Sequence, residues 1–116
     1  MTEKNVTIMK LLEQYEEEYD EKDELHHKNG NERFSDMAML RAHVCRRLRA
    51  QFRKSEDADV FKLLDIMDKE YIDMINKDRY LGRGRDSLKR HIECLRSCTI
   101  IRNKLKRSLK IKKMKP

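Results

Sequence analysis

Helical periodicity runs through almost the whole chain, and very few residues interrupt it. The only proline is the final residue, Pro116, and the three glycines stand at positions 30, 82 and 84. Because proline and glycine are the residues that end helices most often, the sequence predicts long helices joined by short loops. No segment shows the alternation of polar and apolar residues, rich in β-branched side chains, that is typical of a strand. The pattern therefore predicts an all-α protein.

Apolar residues repeat in steps of three or four and predict four amphipathic helices, at roughly 5–26, 36–54, 56–79 and 86–110, followed by a basic tail at 111–116. A chain of 116 residues leaves no room for a second core, so we expect a single domain at 1–116, packed as an antiparallel four-helix bundle. A three-helix core with an extended fourth helix is the alternative. The expected core stripes are Ile8, Leu12, Tyr15, Tyr19; Met37, Leu40, Val44, Leu48, Phe52; Val60, Leu64, Met67, Tyr71, and Met74 or Ile75; Leu88, Ile92, Leu95, Thr99, Ile101, Leu105, Leu109.

Polar residues at the predicted helix ends suggest where each helix begins and stops. Side-chain oxygens of Ser, Thr, Asp and Asn accept hydrogen bonds from the first free amides of a helix. Asn29-Gly30 is a typical stop for the first helix, and residues 81–85 form the clearest loop. The predicted N-terminal caps are, in chain order, Thr2 or Asn5, Ser35, Ser55, and Asp86 or Ser87.

Charge is distributed very unevenly along the chain. Residues 81–116 contain thirteen Lys or Arg against two acids, a net charge of +11, whereas the whole protein carries +7. Residues 13–24 contain eight acids against one Lys, a net charge of −7. This separation favours a polyanion partner, or contact between the two oppositely charged segments.

The basic fourth helix predicts a nucleic-acid interface that contacts phosphates. Its Lys and Arg residues occupy the faces that the apolar stripe leaves free, and no aromatic residue lies between them to stack on bases. Arginines of the second helix would extend this surface into one positive wall. DNA and RNA both remain open, as does the question whether the acidic segment covers the basic face. The expected contact residues are Arg83, Arg85, Lys89, Arg90, Arg96, Arg102, Lys106 and Arg107, supported by Arg46, Arg47, Arg49 and Arg53.

Cysteine and histidine residues raise the question of a metal site. His91, Cys94 and Cys98 follow one another at i, i+3 and i+7 of a helix, and His43 with Cys45 could complete a zinc set. However, no Cys-x-x-Cys knuckle occurs, and the cysteines fall close to an apolar stripe. We therefore expect core cysteines, with no metal and no other cofactor. An odd number of cysteines favours a reducing compartment, cytoplasmic or nuclear.

The segment Arg85-Asp86-Ser87-Leu88-Lys89-Arg90-His91 has an Arg, a polar residue after it and a His several positions further on. It resembles the motif of the small helical HEPN ribonucleases, in which a four-helix domain dimerises so that paired Arg and His cleave RNA. The resemblance covers seven residues. It implies that His91 would act as general acid or base, and that Arg85 would stabilise the charge of the phosphorane.

Other catalytic patterns, such as a phosphate-binding Gly-rich loop with its Lys or a His-Glu-x-x-His motif, do not occur. We therefore expect a non-enzymatic, intracellular basic protein that binds nucleic acid through phosphates or belongs to a nucleoprotein complex. Neither a membrane span nor a small-molecule substrate is expected. The first alternative is a helical interaction or scaffold module that oligomerises or docks on a partner through its Met-rich stripes. The second is an HEPN-like ribonuclease.

Overall fold

A computed structural model describes residues 2–54, 58–82 and 84–114, and within these ranges the chain forms four α-helices and no strand. This confirms the predicted all-α bundle. Helix α4 continues to its last described residue, although the sequence predicted a tail from position 111. The helices are α1 (Glu3–Lys28), α2 (Glu32–Lys54), α3 (Val60–Leu81) and α4 (Arg85–Met114).

Capping side chains begin α1 and α3. The Oγ1 atom of Thr2 accepts a hydrogen bond from the amide of Asn5 at 3.2 Å, which confirms Thr2 as a cap. The Oδ1 atom of Asp59 accepts one from the amide of Phe61 at 2.9 Å. Each cap satisfies an amide that has no partner inside the helix. The predicted cap Ser55 lies outside the described residues.

The turn between α1 and α2 is shorter than the sequence predicted. Asn29 and Gly30 end α1 as expected, and Gly30 takes a φ of +76° that L-residues rarely adopt. The amide of Ser35 donates to the carbonyl of Asn31 at 3.0 Å, so Ser35 lies inside α2 and is not its cap. Its hydroxyl instead donates to the Asp23 carboxylate on α1. This contact between helices explains why a serine is buried at that position.

The loop between α3 and α4 lies where the sequence placed it. Gly82 ends α3 with a φ of +62°, in the left-handed region that glycine adopts without strain. Arg83 lies outside the described residues. Helix α4 begins at Arg85, so Asp86 and Ser87, which were predicted as caps, lie within its first turn.

The helices form two antiparallel hairpins around one core. α1 packs most extensively on α2 and α3 on α4, while α2 also contacts both α3 and α4. Because α4 contributes to this core, the alternative of a three-helix core with a separate fourth helix does not hold. The largest fully buried apolar side chains are Phe52, Ile8, Leu12, Leu48, Leu64, Ile101, Leu105, Val44 and Val60.

The buried face of α4 differs from the predicted stripe. Thr99, which was placed in the stripe, is exposed, and Leu88, Ile92 and Leu95 are only half-buried. The residues that face the core step by four, three and four positions. Two of them are cysteines, whose small apolar side chains let α4 pack closely on its neighbours. These buried residues are Cys94, Cys98, Ile101 and Leu105.

The stripes of α2 and α3 agree more closely with the prediction. In α3 the core position is Ile75, whereas Met74 is exposed. In α2 the first two predicted positions, Met37 and Leu40, are half-buried. The small residues Ala38, Ala42 and Cys45 are fully buried at this end of α2. No helix in the described ranges has an apolar stretch long enough to cross a membrane.

Candidate nucleic-acid interface

One long face of α4 is basic and exposed. Its residues lie on the side of the helix opposite the buried stripe, as their spacing at 3.6 residues per turn requires. With a rise of 1.5 Å per residue, this row extends over about 37 Å. Lys106 is exposed beside it, whereas Arg90, also exposed, lies about 120° away around the helix axis. We call this row the α4 outer face; its residues are Arg85, Lys89, Arg96, Arg107 and Lys110.

Few acids neutralise the α4 outer face. The Nη1 atom of Arg96 lies 3.2 Å from Glu93 Oε2, one turn away on the same helix, and 60% of the Arg96 side chain is exposed. An exposed pair of this kind contributes little and is easily exchanged for a phosphate. Within the described residues no ion pair joins Arg85, Lys89 or Lys110 to an acid. Their charges are therefore available to a polyanion.

Two predicted contact residues of α2 are used inside the α1–α2 hairpin. The Nε atom of Arg46 lies 3.2 Å from Glu16 Oε1, and the Nη2 atom of Arg49 lies 3.3 Å from Glu16 Oε2. Arg46 also pairs with Asp20 at 3.6 Å. Glu16 is largely buried, so these arginines compensate a carboxylate that has lost most of its hydration. A phosphate would have to displace Glu16 to bind them.

Arg47 links α2 to α3. Its guanidinium pairs with the Glu70 carboxylate and lies 5.4 Å from the centre of the Tyr71 ring. Burial alone would lower the pKa of Arg47, but hydrogen bonds with Tyr71 and Glu70 outweigh it and raise the pKa. Arg47 therefore holds two helices together as a permanent cation.

Arg102 has a similar role between α4 and α3. Its Nη2 atom lies 3.1 Å from Asp65 Oδ1 and also pairs with Asp68, and only 17% of its side chain is exposed. Arg53, in contrast, is exposed in the last turn of α2. Four of the predicted contact residues thus pair with acids of another helix, and the other described ones do not; these four are Arg46, Arg47, Arg49 and Arg102. Arg83 lies outside the described residues.

The acidic segment 13–24 contacts basic residues, but not those of the α4 outer face. Glu16 and Asp20 pair with α2, and the Glu18 carboxylate lies 3.7 Å from the ammonium of Lys104. Across the described part of the chain, no ion pair connects this segment to the α4 outer face. The acids Glu13, Glu17, Glu21 and Glu24 are exposed on α1.

The three cysteines lie in the core. Burial, reinforced by the charge of Glu16, raises the pKa of the Cys45 thiol to about 12. Burial and the Asp68 carboxylate raise the pKa of Cys98 to about 12, and burial raises that of Cys94. All three thiols are free, and His43 is exposed. Over residues 2–54, 58–82 and 84–114 no group of three or more His, Cys, Asp or Glu residues could hold a metal ion.

His91 is bound to a buried carboxylate. Its Nδ1 atom lies 2.6 Å from Asp78 Oδ2, and the Ser87 hydroxyl donates to the same oxygen at 3.1 Å. The Asp78 side chain is 1% exposed and that of His91 is 25% exposed. Arg85 and His91 stand six positions apart, about 120° around the helix axis, so a pairing like that in HEPN ribonucleases would require a second copy. The roles assigned to these two residues remain a prediction.

A groove that the sequence did not reveal lies at the C-terminal end of the α4 outer face. It has a volume of about 710 Å³ and contains one aromatic ring, Phe61, among three lysines. The Lys106 ammonium lies 5.9 Å from the centre of that ring. No local sequence pattern pairs Phe61 of α3 with residues of α1 and α4. We call this site the end groove; its lining is Glu3, Lys4, Thr7, Phe61, Lys106, Leu109 and Lys110.

No known protein family, curated protein sequence or solved structure matches this chain.

Proposed function

We propose that this protein binds nucleic acid through phosphate contacts along the α4 outer face. The observation that carries the proposal is the row of exposed basic residues, held at fixed positions over about 37 Å of one helix. Because α4 is part of the core, this row is rigid, and binding does not have to order it.

Contacts between Lys or Arg and phosphates carry no sequence information, so we expect binding that tolerates any base sequence. Each phosphate that is neutralised releases counterions, and the logarithm of the affinity then falls with the logarithm of the salt concentration. Five contacts on duplex DNA correspond to a slope of about −4 to −5. The exposed acids of α1 would repel the strand from their side of the bundle and so favour one orientation.

Two triple variants of equal charge test the proposal. Arg85→Ala/Lys89→Ala/Arg107→Ala removes three cations from the α4 outer face. The control Arg33→Ala/Lys69→Ala/Arg79→Ala removes three exposed cations from α2 and α3. Binding to duplex DNA, single-stranded DNA and RNA is measured at several salt concentrations.

We expect the first variant to lower the magnitude of the salt slope on duplex DNA by about 2 to 3 and to weaken binding, because three phosphate contacts are lost. The control should retain the wild-type slope. Equal slopes for the two triple variants would show that the α4 outer face is not the interface.

A helical interaction or scaffold module is the second candidate, because part of α3 stays apolar and exposed. Ile66, Met74 and Leu81 lie on one side of this helix and are 52%, 36% and 56% exposed. Apolar surface of this kind is typical of a site for a partner helix or a second copy. A homo-oligomer that is free of nucleic acid and unaffected by nuclease, measured by sedimentation, would favour this candidate over the first.

A further inference from the structure

We infer that the end groove selects single-stranded nucleic acid, with one base stacked on Phe61 and the neighbouring phosphates bound by Lys4, Lys106 and Lys110. This inference rests on the proposed function and adds to it the kind of strand that is bound. The end groove shares Lys110 with the α4 outer face. A strand that follows that face therefore leads into the groove.

The lining of the end groove suits a polynucleotide chemically. Its three lysines face one acid, Glu3, so the groove carries net positive charge. Phe61 and Leu109 supply an apolar surface between those charges. Alternating cationic and aromatic groups are what single-strand binding sites use, since the phosphates and the flat faces of the bases alternate in the same way.

The position of the Phe61 ring is fixed by its own helix. Phe61 is the second residue of α3, and its amide is bonded to the Asp59 cap at 2.9 Å. The ring is half-buried and packs against the core. The Lys106 ammonium, 5.9 Å from the ring centre, is on a flexible stem. If this ammonium moves to a phosphate, the ring face is uncovered for a base.

An unpaired base is needed because a duplex hides the faces of its bases. In a double helix each base stacks on its neighbours, so a ring fixed in a groove can stack only on a base that is free. Stacking on one aromatic side chain corresponds to about a 5- to 150-fold gain in affinity. The α4 outer face alone would bind duplex and single strand through the same phosphates.

Replacement of the ring by a smaller aliphatic side chain, which stays apolar, tests the inference. Phe61→Leu is compared with Phe34→Leu, which changes an exposed phenylalanine in the first turns of α2. Probes are fifteen-nucleotide oligo-dT, fifteen-nucleotide oligo-U and a fifteen-base-pair duplex. We expect Phe61→Leu to weaken binding to both single strands at least about 5-fold and to leave duplex binding unchanged. The two single-stranded probes show whether DNA or RNA is preferred.

A tryptophan variant gives a direct readout even if Phe61→Leu is unstable. The chain has no Trp, so Phe61→Trp introduces one fluorophore at the site. Its emission should be quenched by single strands and not by duplex. Unquenched emission on a bound single strand, or equal affinities of Phe61→Leu and wild type, would overturn the inference while phosphate binding on the α4 outer face could still stand. Absence of salt-dependent binding to all three probes would refute both.

Discussion

At the scale of single residues, Asp78 joins the end of α3 to the beginning of α4. Its Oδ2 atom accepts hydrogen bonds from Ser87 and His91, and its side chain is almost fully buried. A buried carboxylate loses its hydration, and this loss is offset only if donors replace the water. Ser87 and His91 supply two such donors, and the Gly82 turn brings them within reach of the carboxylate.

Removal of this carboxylate should destabilise the α3–α4 hairpin. We expect Asp78→Ala to lower the free energy of unfolding by about 1–3 kcal/mol, because Ser87 and His91 lose their acceptor. Urea unfolding measures the effect, and Asp73→Ala, at an exposed position of the same helix, is the control. A midpoint equal to that of the control would show that Asp78 contributes no such stabilisation.

The ribonuclease resemblance is tested with His91→Ala, assayed on single-stranded RNA beside wild type. The resemblance requires that wild type cleaves this RNA and that His91→Ala does not.

At the scale of the helices, periodicity predicted the number and type of elements correctly. The stripe of α1 was correct at Ile8, Leu12, Tyr15 and Tyr19, because long apolar side chains alternated there with acids. The stripe of α4 was wrong in its first half, since Cys94 and Cys98 gave a weaker apolar signal than Leu88 and Leu95. Which face a helix buries depends on its neighbours, and small residues allow the closer approach.

Because the packing of the helices decides which side chains meet, the sequence alone could not separate the exposed basic residues from the paired ones. Arg102 meets Asp65, which lies 37 positions away in the sequence, and Arg47 meets Glu70, 23 positions away. Such pairs exist only once the helices have packed. The basic character of α4 could be read from its sequence, whereas the end groove, built from three helices, could not.

Two isoleucines of α4, both in the predicted stripe, test whether its first half faces the core as its second half does. Ile101 is fully buried and Ile92 is half-buried. We expect Ile101→Ala to cost about 2–5 kcal/mol of stability, because it leaves a cavity that the core cannot fill. Ile92→Ala, the same chemical change on the same helix, should cost clearly less. Urea denaturation of both variants measures this difference, and an equal or larger loss at Ile92 would show that the first half of the predicted stripe also faces the core.

At the scale of the whole molecule, the core buries thiol and phenol groups that hold their protons more tightly in the folded chain than in the unfolded chain. Burial raises the pKa of Cys45 and Cys98 from 9.0 to about 12 and that of Tyr71 from 10.0 to about 12. Below pH 9 these groups are protonated in both the folded and the unfolded chain. Between about pH 9 and 12 the unfolded chain loses their protons first, so stability falls as the pH rises.

We therefore expect the urea midpoint of unfolding to decrease steadily from pH 9 to pH 12. A Cys45→Ala/Cys98→Ala variant should show a smaller decrease, because two of the groups that release protons on unfolding are gone. This comparison isolates the contribution of the two thiols to the pH dependence. A pH dependence equal to that of wild type would contradict the assignment of these thiols to the core.

The division of the bundle into two hairpins has a consequence for how the chain folds. The largest helix contacts are between neighbours in the sequence, α1 with α2 and α3 with α4. Short loops close quickly, and proteins dominated by local contacts fold within microseconds to milliseconds. Each hairpin can then form before the two meet, and the pairing of Arg47 with Glu70 would report the later docking step. In stopped-flow refolding experiments, this docking step would appear as a kinetic phase whose rate differs between Glu70→Gln and wild type.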